Sequence, residues 1–280
     1  MTVSIFIPSR NERFLNETID DVLRNATGPI EIFPILDGYD LPVQSGLYFQ
    51  LNRDPRVKYI RIPKVAGLQK RQAVNVAASI AQGEWFMCLD AHCMVGKGFD
   101  DILARDCQKD WVMIPRRWKL DPDNWKRKED GSLPVDYEYW LYNEYKNKFL
   151  KPYRWDERTR ERMDRPIDKT MTMQASCWFM HRDWFKARGF MRIEGYTGWG
   201  QEDVEISMET WTNGGQLMVN KNTWYAHLYK GKTFGRGYRV NPQQWIDSQE
   251  YGHKYWTEER WDDFMNLLKM FAPIPNWNLV

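Results

Sequence analysis

The chain has 280 residues, 42% of them hydrophobic and 15% aromatic, which is ample material for a core and excludes a disordered or fibrous protein. Forty Lys and Arg stand against 38 Asp and Glu, so a net charge of +2 excludes nucleic-acid or membrane binding through global charge, and an anionic partner must meet a local patch. No run reaches the roughly 18 apolar residues of a membrane helix, and MTVSIFIPSRNE turns polar after one short apolar stretch, unlike a signal peptide. The expectation is a soluble, cytoplasmic chain built around one extended domain, with no membrane partner.

In the first half, short apolar runs alternate with helical patterns, the signature of a parallel sheet covered by helices. Val3 to Pro8 reads as a strand ending in Ser9, Arg10 and Asn11. Helical spacing then groups Phe14, Leu15, Ile19, Val22 and Leu23 on one face, and Gly28-Pro29 closes that helix before a second strand, Ile30 to Leu36, which Pro34 should make less regular. A third strand, Val57 to Ile62, precedes a helix from about Leu68 to Ala81 with small packing residues at Ala73, Ala77 and Ala78. A fourth strand, Trp85 to Leu89, runs into Asp90-Ala91-His92. After a short helix and the strand Trp111 to Pro115, residues 116 to 169 lose periodicity and read as a charged, aromatic insertion around one helix, Tyr137 to Phe149. Regular structure returns at Met171 to Met180, in a helix from Glu202 to Asn213 and in a strand near Thr223 to His227, before two amphipathic stretches, Pro242 to Tyr255 and Glu258 to Phe271.

Several groups of residues could carry chemistry. Asp90 and His92 flank one residue at a strand end, where alternate side chains point the same way, so both can reach one cation; as plain structure they would form a hydrogen-bonding pair. Carboxylate oxygen with imidazole nitrogen suits Mn(II) or another divalent cation, with diphosphate oxygens completing its shell. Glu202 and Asp203 open a helix, where acids are favourable against its dipole, but this does not explain the preceding Trp199-Gly200. Residues 115 to 128 carry six cations against two acids with Trp118 and Trp125 among them, a solvated face or a phosphate-gripping patch. The four cysteines, Cys88, Cys93, Cys107 and Cys177, form no C-x-x-C pair, which gives no zinc or redox motif. LYKGKTFGRGYR holds Lys230, Lys232, Arg236 and Arg239 among three glycines without an acid, the composition of a surface loop or of a lid over a diphosphate.

Three blocks, GLQKRQAVNVAASIAQGEWFMCLDAHCM, MTMQASCWFMHRDWF and GWGQEDVEISMETWTNGG, occur in the order found in GT-A glycosyltransferases and most resemble the polypeptide N-acetylgalactosaminyltransferases, over roughly residues 1 to 240. The resemblance implies an α/β, GT-A (Rossmann-like nucleotide-sugar-binding) fold: a mixed, mostly parallel central sheet flanked by helices. The catalytic domain would span 1 to 241, and 242 to 280 would form a helical extension packed on it. It implies a nucleoside diphosphate sugar, in its UDP form, as donor. Asp90, His92 and His227 would be metal ligands. Pro8, Arg10, Glu12, Asp37, Arg71, Asp90, Trp199, Glu202, Lys230 and Arg236 would bind the donor, with Asp37 at the base and Arg71 facing the diphosphate. Glu202 and Asp203 would be catalytic, Asp203 as the acceptor's general base; the polypeptide transferases carry Asn there, so retention and inversion both stay open. The short build also resembles phage-encoded enzymes that glycosylate hydroxymethylated pyrimidines in DNA, with Arg154 to Arg165 and Trp155 adding to the cationic patch. A glycan, lipid-linked or protein acceptor, or a catalytically silent binding module, remains the alternative, and oligomeric state is open.

Overall fold

The computed structural model describes residues 1–38, 51–63, 70–143, 147–236 and 238–277. The strands are β1 (Val3–Ser9), β2 (Ile30–Asp37), β3 (Ile60–Ile62), β4 (Trp85–Leu89), β5 (Cys93–Val95), β6 (Trp111–Asp121), β7 (Lys126–Arg127), β8 (Glu138–Asn143), β9 (Asn147–Arg154), β10 (Ile167–Lys169), β11 (Cys177–His181) and β12 (Gln216–His227). The helices are α1 (Leu15–Asn25), α2 (Lys70–Ile80), α3 (Phe99–Asp106), α4 (Asp156–Glu161), α5 (Arg182–Arg188), α6 (Glu202–Thr212), α7 (Gly231–Phe234), α8 (Pro242–Lys254) and α9 (Trp261–Phe271), with a π-helical turn at Tyr255–Glu259 before α9.

The main sheet runs β10-β12-β6-β11-β4-β1-β2-β3. Strands β1 to β4 pair parallel, β11 lies antiparallel between β4 and β6, and β6 pairs parallel with β12. Two antiparallel steps across β11 restore the original direction, so β1, β2, β4, β6 and β12 all end at the same edge. Parallel strands need both faces covered, which accounts for the uninterrupted burial of β2 and β4. Helix α2 lies against β1 and β2 through Ala73, Val74, Ala77 and Ala78, small residues that let it approach closely. Phe264, Leu267, Leu268 and Phe271 of α9 join the same core as β1 and β4.

Several elements differ from expectation. The described residues from Tyr137 to Phe149 form no helix: β8 and β9 pair as an antiparallel ribbon, Glu138 opposite Arg154 and Leu141 opposite Lys151. The run is rich in Tyr and Trp, which favour strands, and burial of both Tyr139 and Trp140 hides the period-two alternation. Strand β6 does not stop at Pro115 but continues to Asp121, following β12 through an irregularity between Asn220 and Trp224. Its charged second half is strand because β12 and β7 supply its ladder. Pro34 leaves β2 regular and fully buried. Strand β3 is only Ile60–Ile62, with Val57 in an isolated bridge to Ile32. Leu68 and Gln69, expected at the start of α2, and Gly237 of the expected lid lie outside the described residues.

Candidate active site

The shared strand edge opens on a cavity of about 1160 Å³ whose lining draws on β1, β2, the turn after β4, β6, the β8–β9 ribbon, α6 and the segment after β12. Asp90 follows the buried β4 directly, and its backbone N–H donates to the Ser176 carbonyl at 2.8 Å, fixing the strand end against the chain entering β11. The turn at 91–92 leads into β5, which pairs with β12 so that His227 stands opposite Cys93, and Leu228 N–H donates to the His92 carbonyl at 3.1 Å. That register brings together two histidines 135 positions apart.

One donor atom from each of Asp90, His92 and His227 lies within 4.8 Å of the others. The Nε2 atoms of His92 and His227 are 3.1 Å apart, and His227 Nε2 is 3.6 Å from Asp90 Oδ2. Adjacent ligands of an octahedral ion with bonds of about 2.1 Å stand about 3 Å apart, so a divalent cation fits this set. Burial pushes His227 down to about 4 despite Asp90 beside it, keeping the imidazole neutral and ready to ligate. Burial would raise Asp90, yet the Lys70 ammonium and the two imidazoles hold its carboxylate well below the usual range.

Pro8, Arg10, Glu12 and Asp37 line the cavity at the ends of β1 and β2. Arg10 Nη2 donates to Asp37 Oδ2 at 2.5 Å, and its guanidinium lies 5.6 Å from the Tyr238 ring centre. Burial raises the Asp37 carboxyl against this cation. The other oxygen, Asp37 Oδ1, is buried with no hydrogen-bond donor among the described residues. Lys230 contacts Glu12 Oε2, and Arg236 stacks on Trp199 with 4.3 Å between guanidinium carbon and ring centre.

Arg71 differs from the expectation that it faces a diphosphate. Its side chain is buried away from the cavity, paired with Glu205, stacked 3.8 Å over Tyr196 and donating to the Gly200 carbonyl at 3.2 Å. It braces the turn ahead of α6. Its neighbour Lys70 occupies the cavity instead, donating to Asp90 Oδ1 and the Ala175 carbonyl, both at 2.8 Å. Both lie near the small-residue face of α2, so only the helix phase, set by packing, separates them.

The braced turn is backbone-strained: Gly200 has φ 112° and Gln201 φ 64°, conformations that persist only where surroundings enforce them. Gln201 Nε2 donates to Gln249 Oε1 of α8 at 2.8 Å and to the Leu150 carbonyl of β9 at 3.3 Å. The turn thereby presents Glu202 and Asp203 to the cavity. Asp203 has no ion pair among the described residues; burial, with Glu202 beside it, pushes it up to about 7. A second group not singled out by the sequence is Arg117 with Glu138, paired at 2.8 Å inside the cavity, Glu138 also accepting the Gln174 N–H at 2.7 Å.

Residues 4–189 match glycosyl transferase family 2. The chain belongs to that family. It is 27% identical over 255 residues to polypeptide N-acetylgalactosaminyltransferase 3 of Taeniopygia guttata, covering 85% of this chain and 40% of that protein. It is 26% identical over 245 residues to the inactive polypeptide N-acetylgalactosaminyltransferase-like protein 5 of Macaca fascicularis, covering 83% and 52%. The fold matches a crystal structure of GalNAc-T7 with UDP, GalNAc and Mn2+ at a TM-score of 0.68 and 21% identity, over 94% of this chain and 51% of that one. The family member thus has the GT-A fold and spans about half or less of these relatives.

Proposed function

We propose that the protein is a Mn(II)-dependent glycosyltransferase that moves a sugar from a UDP-sugar to a hydroxyl acceptor. The observation that carries this is the convergence of Asp90, His92 and His227 in one cavity with Asp203, which has no ion pair among the described residues. Asp37 Oδ1, an acceptor lacking a donor, suits the imide N–H of uracil. Lys70, Lys230 and Arg236 would meet the diphosphate, and Trp199 with Glu202 the sugar. A bound divalent ion supplies Lewis-acid neutralisation of the leaving diphosphate. Asp203 takes the proton of the acceptor hydroxyl as its oxygen bonds to the anomeric carbon, whose bond to the phosphate oxygen breaks with the electron pair leaving on the diphosphate. A carboxylate base unpartnered by a cation favours single displacement with inversion.

For the acceptor, the cations Lys119, Lys151 and Arg154 at the cavity support a polyanion, and we assign DNA carrying hydroxymethylated pyrimidines, handled in the cytoplasm. A polypeptide acceptor is the second reading, favoured by the identity to polypeptide transferases. The test is release of nucleoside diphosphate across a donor panel, with Mn(II) or EDTA, and with hydroxymethylated DNA, peptides or neither. EDTA-sensitive release from a UDP-sugar, stimulated by the DNA, is expected. Stimulation by peptides alone would replace the acceptor assignment, and no release from any donor would end the transferase reading.

A further inference from the structure

Glu12 lies within the expected nucleoside pocket, yet its contacts lead elsewhere. Asn11 adopts φ 50° at the end of β1, turning the chain so that the Glu12 side chain is buried, 7% exposed. Oε1 accepts the Phe14 N–H at 3.3 Å, just before α1, which fixes the plane of the carboxylate. Oε2 lies 3.2 Å from His92 Nδ1 and also contacts Lys230 Nζ. A buried carboxylate needs such partners.

A neutral imidazole has one N–H. The Nε2 atoms of His92 and His227 face each other at 3.1 Å, so only one can be the donor between them. An ionised carboxylate only accepts, so Glu12 draws the His92 proton to Nδ1 and leaves the Nε2 lone pair aimed at the cluster. Both Nδ1 atoms are buried and neither meets full hydrogen-bond geometry among the described residues, but His92 Nδ1 has the Glu12 carboxylate at 3.2 Å, whereas no described carboxylate is paired with His227 Nδ1. The two histidines are therefore held unequally.

We propose that Glu12 is a positioning residue that acts through His92, setting its tautomer and ring orientation for metal binding, rather than a residue that touches the nucleotide. This rests on the metal-dependent reading above. Carboxylate partners of ligating histidines typically contribute about 10–100-fold in metal affinity.

The test uses the full chain and Mn(II) alone, with free Mn(II) read by electron paramagnetic resonance. Glu12→Gln should bind Mn(II) about 10–100-fold more weakly, while the variant still binds UDP at saturating Mn(II). Independently of any variant, long-range 1H–15N spectra of the metal-free parent should show the Nδ1–H tautomer of His92, a signature that a packing role alone does not require. Equal Mn(II) affinity of parent and variant, an Nε2–H tautomer in the parent, or loss of UDP binding at saturating Mn(II) would each overturn the proposal. Failure of the parent itself to bind Mn(II) would overturn the metal reading as well.

Discussion

Asp203 combines a functional demand with a structural penalty. Its carboxyl moves from an ordinary 3.8 to about 7 because burial and Glu202 disfavour the charge. As the proposed general base it must be ionised, so kcat/KM for the acceptor should rise as pH passes about 7 and level off above, a pH–rate profile being the check. Asp203→Asn should lower kcat by about 10²–10⁴-fold with UDP affinity unchanged; unaltered turnover would remove Asp203 from the chemistry. Linkage gives a second readout. A carboxylate raised in the folded state is most favourable below its unfolded pKa and loses that contribution as pH rises through the folded one. The Asn variant should therefore gain in Tm relative to the parent between pH 4 and pH 8, with the largest gain at the alkaline end.

Between elements, the turn ahead of α6 is held by α8. Gly198 N–H donates to Ser248 Oγ at 2.8 Å, and a Cβ on Gly198 would stand 2.6 Å from the Gln244 carbonyl oxygen, a backbone atom that cannot move without the helix. Gly198→Ala should destabilise by about 1–3 kcal/mol, as overpacking does, and should also lower kcat because Trp199 to Asp203 shift with α8. Urea unfolding and steady-state kinetics on one preparation test both; loss of stability with unchanged kcat would show that the turn does not depend on that packing. None of this was visible in the sequence. The alternation of β1, β2 and β4 with α1 and α2 was legible because each buries a face with its own period, and Asp90 to His92 followed from the end of β4. The β8–β9 ribbon was not, because Tyr139 and Trp140, neighbours on opposite faces of β8, are both buried, and Arg71 was expected where Lys70 stands because adjacent helical residues separate only once tertiary packing fixes the rotation.

At the scale of the molecule, charge decides between acceptors. A net charge of +2 gives little long-range attraction, so binding to a polyanion must come from cations gathered at the cavity. Arg10, Lys70, Arg117 and Lys230 are paired with cavity acids and are committed to the site's own balance. Lys119 is half-committed, 3.2 Å from the partly exposed Asp130, and Lys151 is exposed on β9. These two can exchange solvent or a weak surface pair for a phosphate with little loss. If DNA is the acceptor, log Kd should rise linearly with log salt, and Lys119→Ala with Lys151→Ala should reduce that slope by about 0.7–0.9 for each phosphate contact removed. Fluorescence anisotropy of a labelled hydroxymethylated duplex measures the slope. Mn(II)-dependent hydrolysis of the donor, which does not involve the acceptor cations, should stay at the parent rate in the double variant. A salt-independent affinity, or a slope unmoved by the two substitutions, would remove DNA from this cavity and leave the polypeptide reading to be pursued.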